Sequence, residues 1–355
     1  MREINIAGNI VGDGHRTFVI AEAGANWRFC PDQKKNYGQA LKLIDIAKAA
    51  GADAVKFQVY RADKLYVGTA GKAGYLKKER PIYDIIKDME LPYEWLSGLK
   101  KHCDKRGILF LATPFDEGSA RELGSVGVAA YKIASYTISY LPFLKFLARS
   151  GKPIILSTGA SSLADIDRAV EAIRGEGNDS IALMQCTAKY PAPLETINLR
   201  SIPYLKERYG VPAGLSDHSR EPYAAPLGAV TLGANIIEKH FTVSNDLEGP
   251  DHAFAVLPEE LAGLISGIRG VEKALGDGKK YVLSEEQELY DFCRRKIYAA
   301  KTIKAGEILT RDNIVSLRPG RAEKGIDSSE FDAVLGKKAR TGIKKDQAIK
   351  KGMIR

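Results

Sequence analysis

The sequence predicts an α/β fold: an eight-stranded parallel (β/α)8 barrel of the TIM type, followed by a small β-rich domain. Three observations carry this prediction. Short runs rich in Val, Ile, Leu and Ala alternate with amphipathic stretches, the pattern of a parallel sheet covered by helices. Eight such units fall within about 260 residues, which suits a closed barrel better than an open doubly wound sheet. Each run stops at a polar or ionisable side chain, as the mouth of a barrel enzyme requires.

In chain order, residues 1–16 place Gly8, Gly12 and Gly14 among short alternating runs (Ile4, Ile6, Ile10, Val11), and a β-hairpin closing the bottom of the barrel is expected there. The barrel is expected over 17–280, with strands at 18–23, 54–57, 108–112, 130–134, 153–156, 181–186, 211–215 and 236–237, the last leading into Glu238-Lys239-His240. Helical periodicity falls on 38–50, 93–106, 141–150, 162–171, 199–209, 222–233 and 258–275. After Gly276-Asp277-Gly278 the pattern changes, and an acidic stretch around 284–292 marks a linker at 281–294. In the final domain, 295–355, Ile303-Lys304-Ala305-Gly306-Glu307-Ile308-Leu309 resembles Ile343-Lys344-Lys345-Asp346-Gln347-Ala348-Ile349. That internal repeat predicts a pseudo-symmetric, β-rich unit.

Composition narrows the function classes. Hydrophobic residues at 45% and charged residues at 27% are those of a globular chain, and no apolar run is long enough to span a bilayer. The N-terminus lacks the apolar core of a signal peptide, so a cytoplasmic location is expected. Cys30, Cys103, Cys186 and Cys293 are widely spaced and read as free thiols. The net charge of +9 arises in the C-terminal domain, where 16 Lys and Arg stand against 7 Asp and Glu. Aromatics for stacking on bases are nearly absent there, which argues against a nucleic-acid partner and leaves a solvated basic face or part of an anion site.

The strand ends bear the chemistry. In order they supply Glu22, then Lys56 and Gln58, Thr113, Lys132 and Ser135, Ser157 and Thr158, Gln185 and Thr187, Ser216 and His218, and Glu238 to His240. Three lysine-bearing ends, several hydroxyls and two histidines on one mouth predict an anion site beside a metal or acid–base site. Lys56 and Lys132 suit a carboxylate and a phosphate as point charges, with Thr113, Ser135, Ser157 and Ser216 as neutral donors. A Schiff-base lysine of an aldolase stays open for Lys56. His218 and His240 end adjacent strands, so two neutral imidazoles can share a divalent ion; Mn2+ is the expected metal, with Mg2+ or Co2+ as alternatives. His15 and His102 read as surface or packing residues. Glu22 suits a general base or an outer metal ligand.

These residues sit in motifs that resemble the sialic acid synthase family. The match runs through Ile20-Ala21-Glu22-Ala23-Gly24-Ala25-Asn26, Lys56-Phe57-Gln58, Ala112-Thr113-Pro114-Phe115-Asp116, Tyr131-Lys132-Ile133-Ala134-Ser135 and Ser157-Thr158-Gly159. It continues through Cys186-Thr187, Tyr190-Pro191-Ala192-Pro193, Gly214-Leu215-Ser216-Asp217-His218, Glu238-Lys239-His240-Phe241-Thr242 and Gly249-Pro250-Asp251-His252. Residues 295–355, with Arg318-Pro319-Gly320 and Lys324-Gly325-Ile326, are similar to the family's antifreeze-like (SAF) domain.

The resemblance implies a synthase that condenses phosphoenolpyruvate with an open-chain N-acetylated amino sugar to a nine-carbon 2-keto acid, releasing phosphate. It implies His218 and His240 as metal ligands and Glu22 with Gln58 as the catalytic pair. Lys56 and Ser216 would hold the carboxylate, and Lys132, Thr113, Ser135 and Ser157 the phosphate. Tyr190 and Asp251 would face the sugar. It further implies a homodimer in which the SAF domain caps the partner's barrel and Arg318 reaches the N-acyl group. N-acetylmannosamine, giving N-acetylneuraminate, is the first expectation for the acceptor; a diacetamido hexose, giving legionaminic or pseudaminic acid, is the alternative. Four departures fall on the expected sugar side: Trp27 where the family usually has histidine, Ala188 for a polar residue, Ser219-Arg220-Glu221 for a small turn, and an insertion at Arg321-Ala322-Glu323.

Overall fold

Alternation along each apolar run decides which side chains face the inside of a barrel and which face its helices. The computed structural model describes residues 3–72 and 80–355. Met1 and Arg2, which begin the segment expected to close the barrel, lie outside the described residues. The strands are β1 (Ile4–Ile6), β2 (Asn9–Val11), β3 (Phe18–Gly24), β4 (Ala54–Val59), β5 (Leu109–Pro114), β6 (Tyr131–Ile133), β7 (Ile154–Ser157), β8 (Ile181–Cys186), β9 (Ala213–Asp217) and β10 (Ile236–His240), then β11 (Lys296–Ala299) and β12 (Ile314–Leu317). Strands β3 to β10 are parallel and close on one another in sequence order, β10 pairing with β3. The TIM barrel expected from the sequence is present. The chain forms two compact units, Met1–Gly276 and Asp277–Arg355.

The barrel has two apolar cores, separated by parity. Val19, Ala21, Val55, Phe57, Phe110, Ile133, Leu156, Leu183, Leu215 and Ile237 point outward and pack under the helices. Their neighbours Ile20, Ala54, Leu111, Ala130, Ile155, Ala182, Met184 and Ile236 fill the inside. Ile4, Ile6 and Val11 of the β1–β2 hairpin join this inner core, all but fully buried. Full burial of a side chain of this size stabilises by roughly 1.5–3 kcal/mol, so the inner core contributes heavily. Gly214 is required where β9 passes β10, because a Cβ there would lie 2.0 Å from the Ile236 carbonyl oxygen.

Local signals fix the helices. Asp32 caps Gln33–Ala50 by accepting from Lys34 N and Lys35 N, and Gly51 ends it in the left-handed conformation. Ser162 and Asp165 form a capping box on Leu163–Arg174. A helix at Glu117–Ser125 was not among those read from periodicity; Gly118 and Gly124 dilute its pattern, and Asp116 caps it. Among the described residues no helix is long and apolar enough to cross a membrane. All four cysteines are free thiols, and burial pushes the Cys103 thiol up to about 12.

The second unit uses the internal repeat to pair with itself. Ile303 and Ile343 exchange both backbone hydrogen bonds, at 2.8 and 2.9 Å. In each copy the side chain three residues on caps the turn, Glu307 accepting from Lys304 N and Gln347 from Lys344 N, both at 2.8 Å. Strands β11 and β12 pair antiparallel, and Ile297, Leu309, Ile314 and Ile349 complete its core.

Candidate active site

The inward parity that fills the barrel continues to its mouth, where the chemistry begins. On β3 the inward series is Ile20 then Glu22; on β4 it is Ala54, Lys56, Gln58; on β10 it is Ile236, Glu238, His240. One cavity is lined together by Glu22, Lys56, Gln58, Thr113, Lys132, Ser135, Ser157, Tyr190, Ser216, His218 and His240. A second, larger cavity shares Gln58, Tyr190 and His240 with it and adds Asp251. Arg318 follows β12 in the second unit.

The two lysines are held by carboxylates and hydroxyls. Lys56 Nζ lies 2.7 Å from Glu22 Oε2 and donates to Thr113 Oγ1 at 3.1 Å. Lys132 Nζ donates to Ser157 Oγ at 2.7 Å and to Glu238 Oε1 at 3.3 Å. Ser216 Oγ donates to that same oxygen at 3.2 Å, and Lys56 Nζ lies 3.6 Å from it. Burial alone would pull the Lys56 ammonium down, but Glu22 and Glu238 outweigh it and hold it above its usual range. Lys132 faces fewer carboxylates, and burial pulls it below. Burial also raises Glu22 against the opposing pull of Lys56, whereas for Glu238 the two lysines win and keep it ionised.

Glu238 was named among the strand ends but given no role by sequence reasoning. It stood in a quoted motif, and period-two spacing from His240 places both on one face of β10. Cys186 was likewise given no role; its thiol lies 3.7 Å from His218 Nδ1, and burial raises its pKa.

Beside the lysines stand the imidazoles. The His218 and His240 ring centroids are 5.4 Å apart, and Tyr190 stacks on His218 at 4.2 Å. Burial pulls His218 down to about 4 and His240 well below its usual value, so both are neutral near pH 7. His218 Nδ1 donates to the Thr187 carbonyl at 2.9 Å, which leaves Nε2 as the ring's acceptor, with the Cys186 thiol 3.8 Å from it. His240 Nδ1 is buried, makes no hydrogen bond among the described residues, and lies 3.6 Å from Asp251 Oδ2. Neutral rings with an unspent nitrogen are the donor set that a divalent cation needs. Among the described residues no three His, Cys, Asp or Glu side chains form a ready-made metal cluster. Gly24, at φ +53°, keeps this corner open: a Cβ there would meet Asp251 Oδ2 at 3.1 Å and Glu22 Oε1 at 3.2 Å. Burial, with Glu22 near, pushes the Asp251 carboxyl up to about 7.

Other expected features do not join the mouth. Lys239, the third lysine-bearing end, points outward and is 1% exposed. Its ammonium binds Asp217 Oδ2 and the Ser219 carbonyl at 2.6 Å each and the Glu221 carbonyl at 2.8 Å, pinning the turn that carries His218. Thr158, Gln185 and Thr187 likewise donate to the backbone carbonyls of Met184, Ile197 and Thr196. His252 is buried against Thr242 Oγ1 at 2.6 Å. Trp27 does not face the sugar side: it is buried in the outer core, edge-on to Trp95 at 5.3 Å. Ala188 lines a separate groove, whereas Arg220 does line the larger cavity.

The sequence pattern of the NeuB family matches residues 43–280, and that of the SAF domain matches 294–355. The chain is 41% identical to the spore coat polysaccharide biosynthesis protein SpsE of Bacillus subtilis, over 98% of this chain and 96% of that protein. The crystal structure of that protein superposes with a TM-score of 0.66 at 40% identity, covering 100% of this chain and 99% of the other. An N,N'-diacetyllegionaminic acid synthase of Campylobacter jejuni is 38% identical over 94% of this chain and 99% of its own length. A pseudaminic acid synthase of the same organism is 36% identical, over 95% and 96%.

Proposed function

The chain belongs to the NeuB family, with a C-terminal SAF domain, and on that premise we propose that it condenses phosphoenolpyruvate with an open-chain acylamino sugar to form a nonulosonic acid and phosphate. One observation carries the reading. Two buried ammonium groups, Lys56 and Lys132, converge on one carboxylate oxygen of Glu238 within a ring of hydroxyls, next to two neutral imidazoles. The four charges of Lys56, Lys132, Glu22 and Glu238 balance before substrate arrives, so a phosphorylated acid and a divalent cation enter as a nearly matched pair.

Each part then has a task. Lys132 holds the phosphate with Thr113, Ser135 and Ser157, while Lys56 and Ser216 take the carboxylate. This fixes the methylene carbon of the enol toward His218 and His240. His218 and His240 would hold a divalent cation, which would supply Lewis-acid polarisation of the sugar aldehyde. Glu22, raised by burial and fixed by Lys56 and by Gln58 Nε2 at 2.9 Å, moves a proton at its carboxyl oxygens as the carbon–carbon bond forms and water adds at C2. Loss of phosphate by C–O cleavage leaves the keto acid. Tyr190 and Asp251 bound the space for the sugar, and Arg318 from the C-terminal unit of a second copy reaches its N-acyl group.

The acceptor first expected, N-acetylmannosamine, gives way to the alternative. The relatives quoted above at 36–38% identity are named for legionaminic and pseudaminic acids, which favours a diacetamido hexose. The test is phosphate release from phosphoenolpyruvate with Mn2+ and a sugar panel: N-acetylmannosamine, its 6-phosphate and diacetamido hexoses. Sugar-dependent phosphate release is expected. No release with any sugar, together with borohydride trapping of pyruvate on Lys56 or Lys132, would establish a Schiff-base lyase instead.

A further inference from the structure

Beyond the reacting atoms, the larger cavity has a volume of about 780 Å³, inside the range of small-molecule sites. Ala25, Tyr60, Leu65, Ile86, Met89 and Phe115 form an apolar cluster separate from both barrel cores, and all six line this cavity. Tyr60 and Phe115 meet edge-on at 5.4 Å, which fixes the wall. Small apolar clusters apart from the main core are common under long loops. This one lines open space that runs on to His240 and Asp251.

Arg220 supplies the polar counterpart. It is the one Lys or Arg lining the cavity among the described residues. Glu260 holds Nη1 at 3.0 Å and Asn245 Oδ1 lies 3.4 Å from Nη2. Glu260 is itself fixed, accepting from Leu257 N at 2.7 Å at the start of the helix Pro258–Ala274. A guanidinium carries five N–H donors, so this anchoring leaves capacity for a ligand oxygen. The carbonyl oxygen of an amide accepts such a donor, and its alkyl carbons match the apolar wall.

We propose that this cavity receives a second acylamino arm of the acceptor sugar, Arg220 donating to the amide carbonyl and the six-residue wall enclosing the acyl carbons. Arg220 is thereby a specificity-determining residue. The inference rests on the condensation reading and the doubly acylated acceptor proposed above, and adds where the second arm binds.

The full chain with Mn2+ and phosphoenolpyruvate is assayed for phosphate release, using N-acetylmannosamine, a diacetamido hexose, and the same hexose with propanoyl in place of the second acetyl. Arg220→Ala should raise KM for the diacetamido hexose about tenfold or more, the loss expected for a hydrogen bond to a charged group. It should leave KM for phosphoenolpyruvate unchanged and alter N-acetylmannosamine kinetics less than twofold, with Arg220→Lys intermediate. In the parent, the propanoyl sugar should show a KM about fourfold lower, the gain from burying one methylene. An equal loss with both sugars, or no loss, overturns the role of Arg220. A propanoyl KM above that of acetyl overturns the apolar wall without needing any variant. Absence of phosphate release by the parent with every sugar would instead refute the condensation itself.

Discussion

Lys239→Met tests how the metal-side turn is held. The ammonium is 1% exposed and its partner Asp217 is equally buried. Besides Asp217 Oδ2, Nζ serves the carbonyls of Ser219 and Glu221, and burial pulls its pKa down against the pull of Asp217. Methionine matches the stem but, among the described residues, leaves Asp217 with only Ser219 N at 2.8 Å and Ser219 Oγ at 3.1 Å. Removing one partner of a buried pair costs about 3–5 kcal/mol, because the other charge stays in the interior. At about 2–4 °C per kcal/mol for a domain approaching this size, Tm should fall by roughly 6–20 °C. The turn also carries His218 and Arg220, so metal affinity and acceptor KM should worsen together while KM for phosphoenolpyruvate holds. Calorimetry and steady-state kinetics on parent, Lys239→Met and Lys239→Met/Asp217→Asn read this out, with the double variant recovering part of the loss. A Tm within 2 °C of the parent, or a double variant no better than the single, would refute the argument.

Glu238→Gln removes the shared counter-charge of Lys56 and Lys132; it should lower Tm without ligand and enlarge the rise in Tm on adding phosphoenolpyruvate, and an unchanged ligand-induced shift would count against Glu238 as the holder of both lysines. Asp251→Asn tests the carboxyl raised to about 7 from 3.8. Between those values the unfolded chain gives up a proton that the native chain keeps, so this group makes stability fall as pH rises. Relative to the parent, the variant should therefore gain stability steadily from pH 4 to 7, by up to roughly 1.4 kcal/mol per pH unit. Parallel Tm–pH curves for the two proteins would exclude that assignment.

The barrel was legible because its strands bury both faces and its helices bury one, so two periodicities separate cleanly along the chain. The helix Glu117–Ser125 escaped notice because two glycines interrupt its stripe and its cap, Asp116, lies inside a motif already read as a strand end. In the site, residue type pointed to the mouth but not to which side chains enter it. Lys239 and Lys132 look alike as lysines at strand ends; parity sends one to the turn beneath His218 and the other to the anion pocket. Applied to β10, the same parity would have promoted Glu238 and demoted Lys239. Trp27 misled for a different reason. Its place in a motif suggested the substrate, but contacts distant in sequence, Trp95 above all, draw it into the outer core. No local signal reports such a contact.

The inner layering has a kinetic consequence. Lys56, Lys132 and Glu238 lie at a lower level, and Gln58, Ala134 and His240, each two residues further along the chain, lie about 5 Å nearer the mouth once strand tilt is allowed for. Below them Ile4, Ile6 and Val11 stop the barrel floor, so the vessel has a single opening. On the condensation proposed above, a phosphorylated acid held at the lower level would enter before the sugar that covers it, and phosphate formed there would depart only after the keto acid. On that reading the architecture would impose an ordered mechanism, in which phosphate, the last to leave, competes with the incoming phosphorylated acid.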